Sequence, residues 1–241
     1  IYMNNSKLVI DGATVTGGEA SLGGNIYAET AAVTVGAATG DVIATVTGGK
    51  AYIGGNIYSN KVADAANKAV TVNVKGIVTL GEAVAVDGDT SNNKHMGGNI
   101  YSANTVSVSG AVTDGKAFDG GNLYITNWTD IKGTVSGVQA VSRGGNIFAS
   151  GSTVQLHAGA KLQNGKADKG GNILSAGNVT VKAGAEISGG EATAQGGNIM
   201  MAAGGKTLTV QGKVLNGVAP AAGNISTVNN LTLGVDGGEV T

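Results

Sequence analysis

Gly23-Gly24-Asn25-Ile26-Tyr27 decides the fold, because the chain keeps returning to it. The phrase recurs unchanged at Gly54–Tyr58 and Gly97–Tyr101, then drifts through Gly120–Tyr124, Gly144–Phe148, Gly170–Leu174 and Gly196–Met200 to Ala222–Ser226. The opening Ile1-Tyr2 reads as the tail of one more copy. The asparagines Asn25, Asn56, Asn99, Asn122, Asn146, Asn172, Asn198 and Asn224 are separated by 31, 43, 23, 24, 26, 26 and 26 residues. A fixed phrase at such a period marks a stacked repeat, and this unit is shorter than the common helical repeats of about 33–47 residues. It fits one coil of a three-sided parallel β-helix.

Working outward from the phrase, each coil supplies two further short strands. One alternates apolar and polar residues, as in Val33 and Val35, Val106 and Val108, or Val179 and Val181. Period-two alternation means one buried face and one wet face. The other reads Ala13-Thr14-Val15-Thr16, Ala44-Thr45-Val46-Thr47 and Ala185-Glu186-Ile187-Ser188, and ends at a glycine corner. A small residue follows at a fixed place: Ala20, Ala51, Ala83, Ala117, Ala140, Ala167, Ala192 and Ala219. The expected fold is all-β: a right-handed, three-sided parallel β-helix of about nine coils, with two coils enlarged, spanning 1–241 as one domain. With strands ~4.8 Å apart, such a rod is about 40 Å long. The ends read as cuts within a longer repeat protein.

Composition agrees. Of 241 residues 43 are Gly, one is Pro and 13% are charged. Scarce Pro with abundant Val, Ile and Thr favours strands with tight corners over disorder. A net charge of −1 and a single arginine, Arg143, argue against a nucleic-acid surface. No apolar run approaches the ~18 residues of a membrane helix. The absence of cysteine excludes disulfides and thiolate chemistry.

The stretch Thr14–Ala28 resembles the middle repeats of polymorphic outer-membrane protein adhesins. It is also similar to the Gly-Gly-x-Ile-Tyr repeats of large surface proteins of gut-type Gram-positive bacteria. The resemblance covers essentially the whole chain. It implies a right-handed parallel β-helix at a bacterial cell surface or outside the cell.

For chemistry the sequence offers little. Ten Asp and six Glu are spread over nine coils without paired carboxylates in adjacent coils, so no catalytic residue is assigned and the chain is read as a non-enzyme. No cofactor and no metal are expected. Asp87-Gly88-Asp89-Thr90-Ser91-Asn92-Asn93 lacks the glycine and closing glutamate of a calcium loop, and His157 reads as a solvated surface histidine. A charge column runs Glu19, Lys50, Glu82, Lys116, Gln139, Lys166, Glu191, Val218, Glu239, suited to pairing between coils. The asparagine column reads either as an amide ladder along the axis or as a set of left-handed corners.

The lead for function is aromatic. Tyr2, Tyr27, Tyr58, Tyr101, Tyr124 and Phe148 share one position, next to an almost constant Ile. With Ile inward, the rings form an outward stripe. The 43-residue coil places insertions within Ser59–Ala69 and Val84–Met96, framing Tyr58 and Tyr101, so Asp87, Asp89, Asn92, Asn93 and His95 are candidate loop contacts. The expected function is a structural or adhesive extracellular rod. Its expected partners are itself, end to end or laterally, or a host or environmental glycan or protein surface. The alternative is a glycan-binding module using the stripe and loops.

Overall fold

The computed structural model describes residues 1–36, 43–60, 71–84, 95–234 and 238–241. Among these there is no helix; every paired strand runs parallel to its neighbour in the next coil, in three stacked sheets. The first face stacks nine strands: Tyr2–Met3, Ile26–Ala28, Ile57–Ser59, Ile100–Ser102, Leu123–Ile125, Ile147–Ala149, Ile173–Ser175, Ile199–Met201 and Ile225–Thr227, which number coils 1 to 9. The second face stacks nine more, from Lys7–Ile10 to Asn230–Leu233. The chain is a three-sided parallel β-solenoid.

The third face departs from a simple third side. Coils 1 to 4 and coil 7 contribute two successive strands to it, such as Thr14–Thr16 and Glu19–Leu22, bent at a left-handed corner, while coils 8 and 9 contribute one each, Lys213–Leu215 and Glu239–Val240. That corner residue is Gly17, Gly48, Leu80, Asp114, Gly137, Asn164, Gly189 or Asn216, with φ between 54° and 68°. In coils 5 and 6 the two strands fuse into Thr134–Arg143 and Lys161–Lys169.

The Gly-Gly-Asn phrase turns the chain from this side strand onto the first face, and each of its residues has its own reason. Gly54 holds φ at 67°, and a Cβ there would lie 2.4 Å from the Ile57 carbonyl oxygen. Gly98 lies against the next coil: a Cβ would come 2.1 Å from the Gly121 carbonyl oxygen. The eight asparagines of the phrase are absent from the left-handed residues, so the corner reading fails for them. Their amides instead form a continuous axial ladder. Each Nδ2 donates to the Oδ1 of the next coil at 2.6–2.8 Å, from Asn25 to Asn56 and on through Asn99, Asn122, Asn146, Asn172 and Asn198 to Asn224.

Each such amide also bridges the side strands of two adjacent coils. Asn25 Oδ1 accepts from the Gly18 backbone N–H at 2.8 Å, and Asn25 Nδ2 donates to the Thr47 carbonyl at 2.8 Å. The side strand is thereby pinched off from the main rod as a narrow lobe. Two interiors result. The main core holds Ile26, Ile57, Ile100, Ile147 and Ile173, with Val46, Val135 and Val181, all fully buried, while Val15 in coil 1 is half-buried. The lobe is filled by Ala51, Ala83, Ala117, Ala140, Ala167 and Ala192, which are buried but lie outside the main core cluster, across the amide column. Only a small side chain fits a sheet folded back so closely.

Candidate functional site

The aromatic column lies on the outer side of the first face, in register: Tyr2 pairs Tyr27, then Tyr58, Tyr101, Tyr124 and Phe148. Centroids are 4.9–5.3 Å apart. Tyr58 and Tyr101 are stacked with planes 8° apart, and Tyr101 and Tyr124 with planes 20° apart. Their faces are thus turned towards one another, and what reaches solvent is largely edge and hydroxyl. The four tyrosines from Tyr27 to Tyr124 are half-buried. Burial, with smaller repulsion from neighbouring phenols, raises the pKa of Tyr58 and Tyr101. Tyr124 is raised by burial first and further by Asp119, against the opposing effects of Ser150 and Arg143.

Phe148 differs from its neighbours: it is only 4% exposed, so it offers no open contact surface. The Arg143 guanidinium carbon lies 4.4 Å above its ring centroid. Arg143 in turn grips Asp119 of the preceding coil with two hydrogen bonds, Nε to Oδ1 at 2.9 Å and Nη2 to Oδ2 at 2.5 Å. Asp119 is 1% exposed, and its carboxylate raises the pKa of Arg143, chiefly by hydrogen bonding. This ion pair locks the side strand of coils 4 and 5 over the foot of the aromatic column. The sequence hid it because the strand Thr134–Arg143 carries a bulge relative to Lys116–Asp119. Counting back from Gly120 and Gly144 pairs the two residues directly.

Of the loop candidates, Asp87, Asp89, Asn92 and Asn93 lie outside the described residues. His95 is 9% exposed and packs edge-on against Tyr52, with centroids 5.1 Å apart. Its Nε2 is buried without a hydrogen-bond partner. His157 is not simply solvated: its Nδ1 lies 3.2 Å from Lys182 Nζ and its Nε2 2.8 Å from Asp130 Oδ1. An ammonium only donates, so Nδ1 accepts and Nε2–H points to the carboxylate.

The outer face of the side strands carries two parallel columns. One is the charge column, in register from Glu19 through Lys50, Glu82, Lys116, Gln139 and Lys166 to Glu191. Glu82 sits 3.3 Å from Lys116 and 4.0 Å from Lys50, and Lys166 sits 2.8 Å from Glu191. Glu239 does not belong to it: it pairs Lys213 in the other strand of the third face, at 3.4 Å. The second column runs Tyr52, His95 and Phe118, with Phe118 N–H donating to the His95 carbonyl at 2.9 Å, and the exposed Val84 and Val141 border the same recess as Phe118. Val141 is 64% exposed. Between the columns lies a recess of about 530 Å³ bordered by Val84, His95, Lys116, Phe118, Gln139 and Val141.

Among the described residues no three His, Asp or Glu side chains gather as a metal site would require, and no helix is long and apolar enough to cross a membrane. Comparison with protein families, curated proteins and solved structures finds no match.

Proposed function

We propose that this chain is a structural or adhesive rod at a bacterial cell surface or outside the cell, with no chemistry of its own. The observation that carries the reading is the unbroken amide ladder, which ties eight coils through buried hydrogen bonds whatever the length of the coil between them. Its acceptors and donors are all used for holding coils together. The same is true of Asp119 with Arg143 and of His157 with Asp130 and Lys182. Such a design supports stiffness, since each coil is bonded to both neighbours along three sheets. Display of the chain on non-adherent bacterial cells tests the adhesive part of the reading. The displayed rod should raise attachment to a glycan-coated or protein-coated surface; attachment equal to that of bare cells defeats it.

Glycan recognition is the second reading, favoured by the row of phenol hydroxyls at one per coil. Replacing Tyr58 and Tyr101 by Phe removes the hydroxyls but keeps the stack. Loss of binding on an oligosaccharide array in that variant supports this reading, and unchanged binding excludes the row.

A further inference from the structure

We infer that Tyr101 and Tyr124 are an oxidative cross-linking site, at which a one-electron oxidant joins coils 4 and 5 through a dityrosine bond. The strands that carry them are paired in register, so the two side chains leave neighbouring strands at the same level. Their ring centroids are 5.2 Å apart and their planes 20° apart. Both rings are half-buried, with edge and hydroxyl outward. The reactive carbons are the Cε atoms beside each hydroxyl, at the outer end of the pair. Side-chain rotation, with no movement of either strand, brings one such carbon from each ring together. The chain around both residues is described without interruption from His95 to Gly234.

Each phenol gives one electron to the oxidant and its hydroxyl proton to water. The unpaired electron of each phenoxyl radical is shared between the oxygen and the Cε carbons. A Cε–Cε bond forms from the two unpaired electrons. The hydrogen on each bonded carbon then passes to the oxygen of its own ring, which becomes aromatic again. Two electrons and two protons leave in all, and a peroxidase with hydrogen peroxide takes them up as two waters.

The rest of the column favours this pair. Two radicals must meet, and ring contact at 5.1–5.3 Å from Tyr2 to Tyr124 lets an electron hole pass from one phenol to the next. Passage stops at Phe148, which continues the column at 4.9 Å but has no hydroxyl proton to lose. A hole that reaches Tyr124 can only turn back to Tyr101. Among the phenol pairs, only Tyr58 with Tyr101 and Tyr101 with Tyr124 are stacked, and the latter closes the path; the pairs at Tyr2 and Tyr27 meet edge to face. Holding both rings on one scaffold replaces a collision between chains by an event within one. The bond closes the chain between residues 101 and 124 into a loop and restricts the unfolded state as a disulfide does. A chain without cysteine thereby gains a covalent tie between coils. This goes beyond the rod reading, because the bond forms whether or not the rod adheres to anything.

Photo-oxidation of the whole chain with tris(bipyridyl)ruthenium and persulfate, followed by tryptic mapping, is the test. Trypsin cuts after Lys94, Lys116 and Lys132, so Tyr101 leaves on 95–116 and Tyr124 on 117–132. The folded chain should yield these peptides joined, two hydrogens lighter than their sum, a mass distinct from that of uncut 95–132. In an equal mixture of isotopically heavy and light chains, the joined product should be all heavy or all light. Unfolding in urea before oxidation should lower its yield by about 10-fold or more, since the rings then meet only by chance. Tyr101→Phe and Tyr124→Phe keep a ring in the column and should each abolish it. The second variant also separates a bond at Tyr124 from one at Trp128, which shares its peptide. A product that mixes heavy and light chains, that persists in either Phe variant or in urea, or that joins other peptides in its place overturns the proposal. So does its absence under conditions that couple free tyrosine.

Discussion

Asn122→Ala removes one rung from the middle of the amide ladder, and its cost can be worked from the bonds it breaks. Asn122 Oδ1 accepts from Gly115 N–H at 3.1 Å and from Asn99 Nδ2 at 2.6 Å; its Nδ2 donates to the Ser136 carbonyl at 3.1 Å and to Asn146 Oδ1 at 2.8 Å. The side chain is fully buried, so water cannot replace these partners without opening the lobe. The substitution orphans two donors, at about 1–3 kcal/mol each, and takes a donor from two acceptors, of which the Ser136 carbonyl keeps the Asp114 N–H. The expected loss is about 4 kcal/mol. Asn122→Asp should cost at least as much, since it retains the shape but sets a carboxylate oxygen against two acceptors. Asn224→Ala is the control. That residue is half-exposed and makes no further rung among the described residues, so its loss should stay near 1 kcal/mol. Urea unfolding followed by circular dichroism measures both. Equal losses below about 1 kcal/mol for the central and terminal variants would refute the claim that the ladder holds coils together.

Arg143→Ala should cost roughly 2–3 kcal/mol, against a few tenths for Lys116→Ala, because only the former strands a buried carboxylate, Asp119; chemical denaturation of both variants compares them. Arg143→Lys should recover only part of the loss, since an ammonium cannot supply the paired Nε and Nη2 contacts. The raised pKa values of Tyr58, Tyr101 and Tyr124 mean that the folded state favours neutral phenols. The stability they contribute is complete below the ordinary tyrosine value of about 10 and is lost as pH rises through the raised folded values. Thermal melts between about pH 8 and about pH 12 should show that loss, and Tyr58→Phe with Tyr101→Phe should reduce its slope. Gly98→Ala places a Cβ about 2.1 Å from the Gly121 carbonyl oxygen and should abolish cooperative folding, whereas Gly151→Ala, where a Cβ meets nothing within 4 Å, should cost only the strain of its φ of 81°; melting curves separate the two.

The solenoid was legible because its signals are local and repeated. The Gly-Gly-Asn phrase sets the period, and the alternation of residues such as Val106 and Val108 sets the inward face. The bend of the third face was harder to see. Its left-handed corner accepts Gly, Asn, Asp and even Leu80, so no single residue type marks it. The alanine column gave a partial sign, since a buried position that admits only a methyl group implies a second, narrower interior. Register errors came from bulges: one extra residue between Gln139 and Arg143 hid the Asp119 pair, and Glu239 was aligned by spacing to the wrong strand. The functional surface was least legible. A column of tyrosines looks the same in sequence whether the rings show their faces to solvent or to one another, and ring orientation is decided by packing across coils.

All the rungs of the ladder point the same way: each amide gives its hydrogen towards the C-terminal coil and receives on its oxygen from the N-terminal side. Every Nδ2 is held by a carbonyl, and the Oδ1 of Asn25, Asn56, Asn99, Asn122, Asn172, Asn198 and Asn224 by a backbone N–H, so these amides cannot flip alone. Eight amide dipoles comparable to a peptide's ~3.5 D therefore add along the axis to something of the order of 25 D, positive towards the C-terminal coil. The column thus adds a fixed lengthwise component to the field of a body whose net charge is only −1. Side by side, such bodies prefer head against tail.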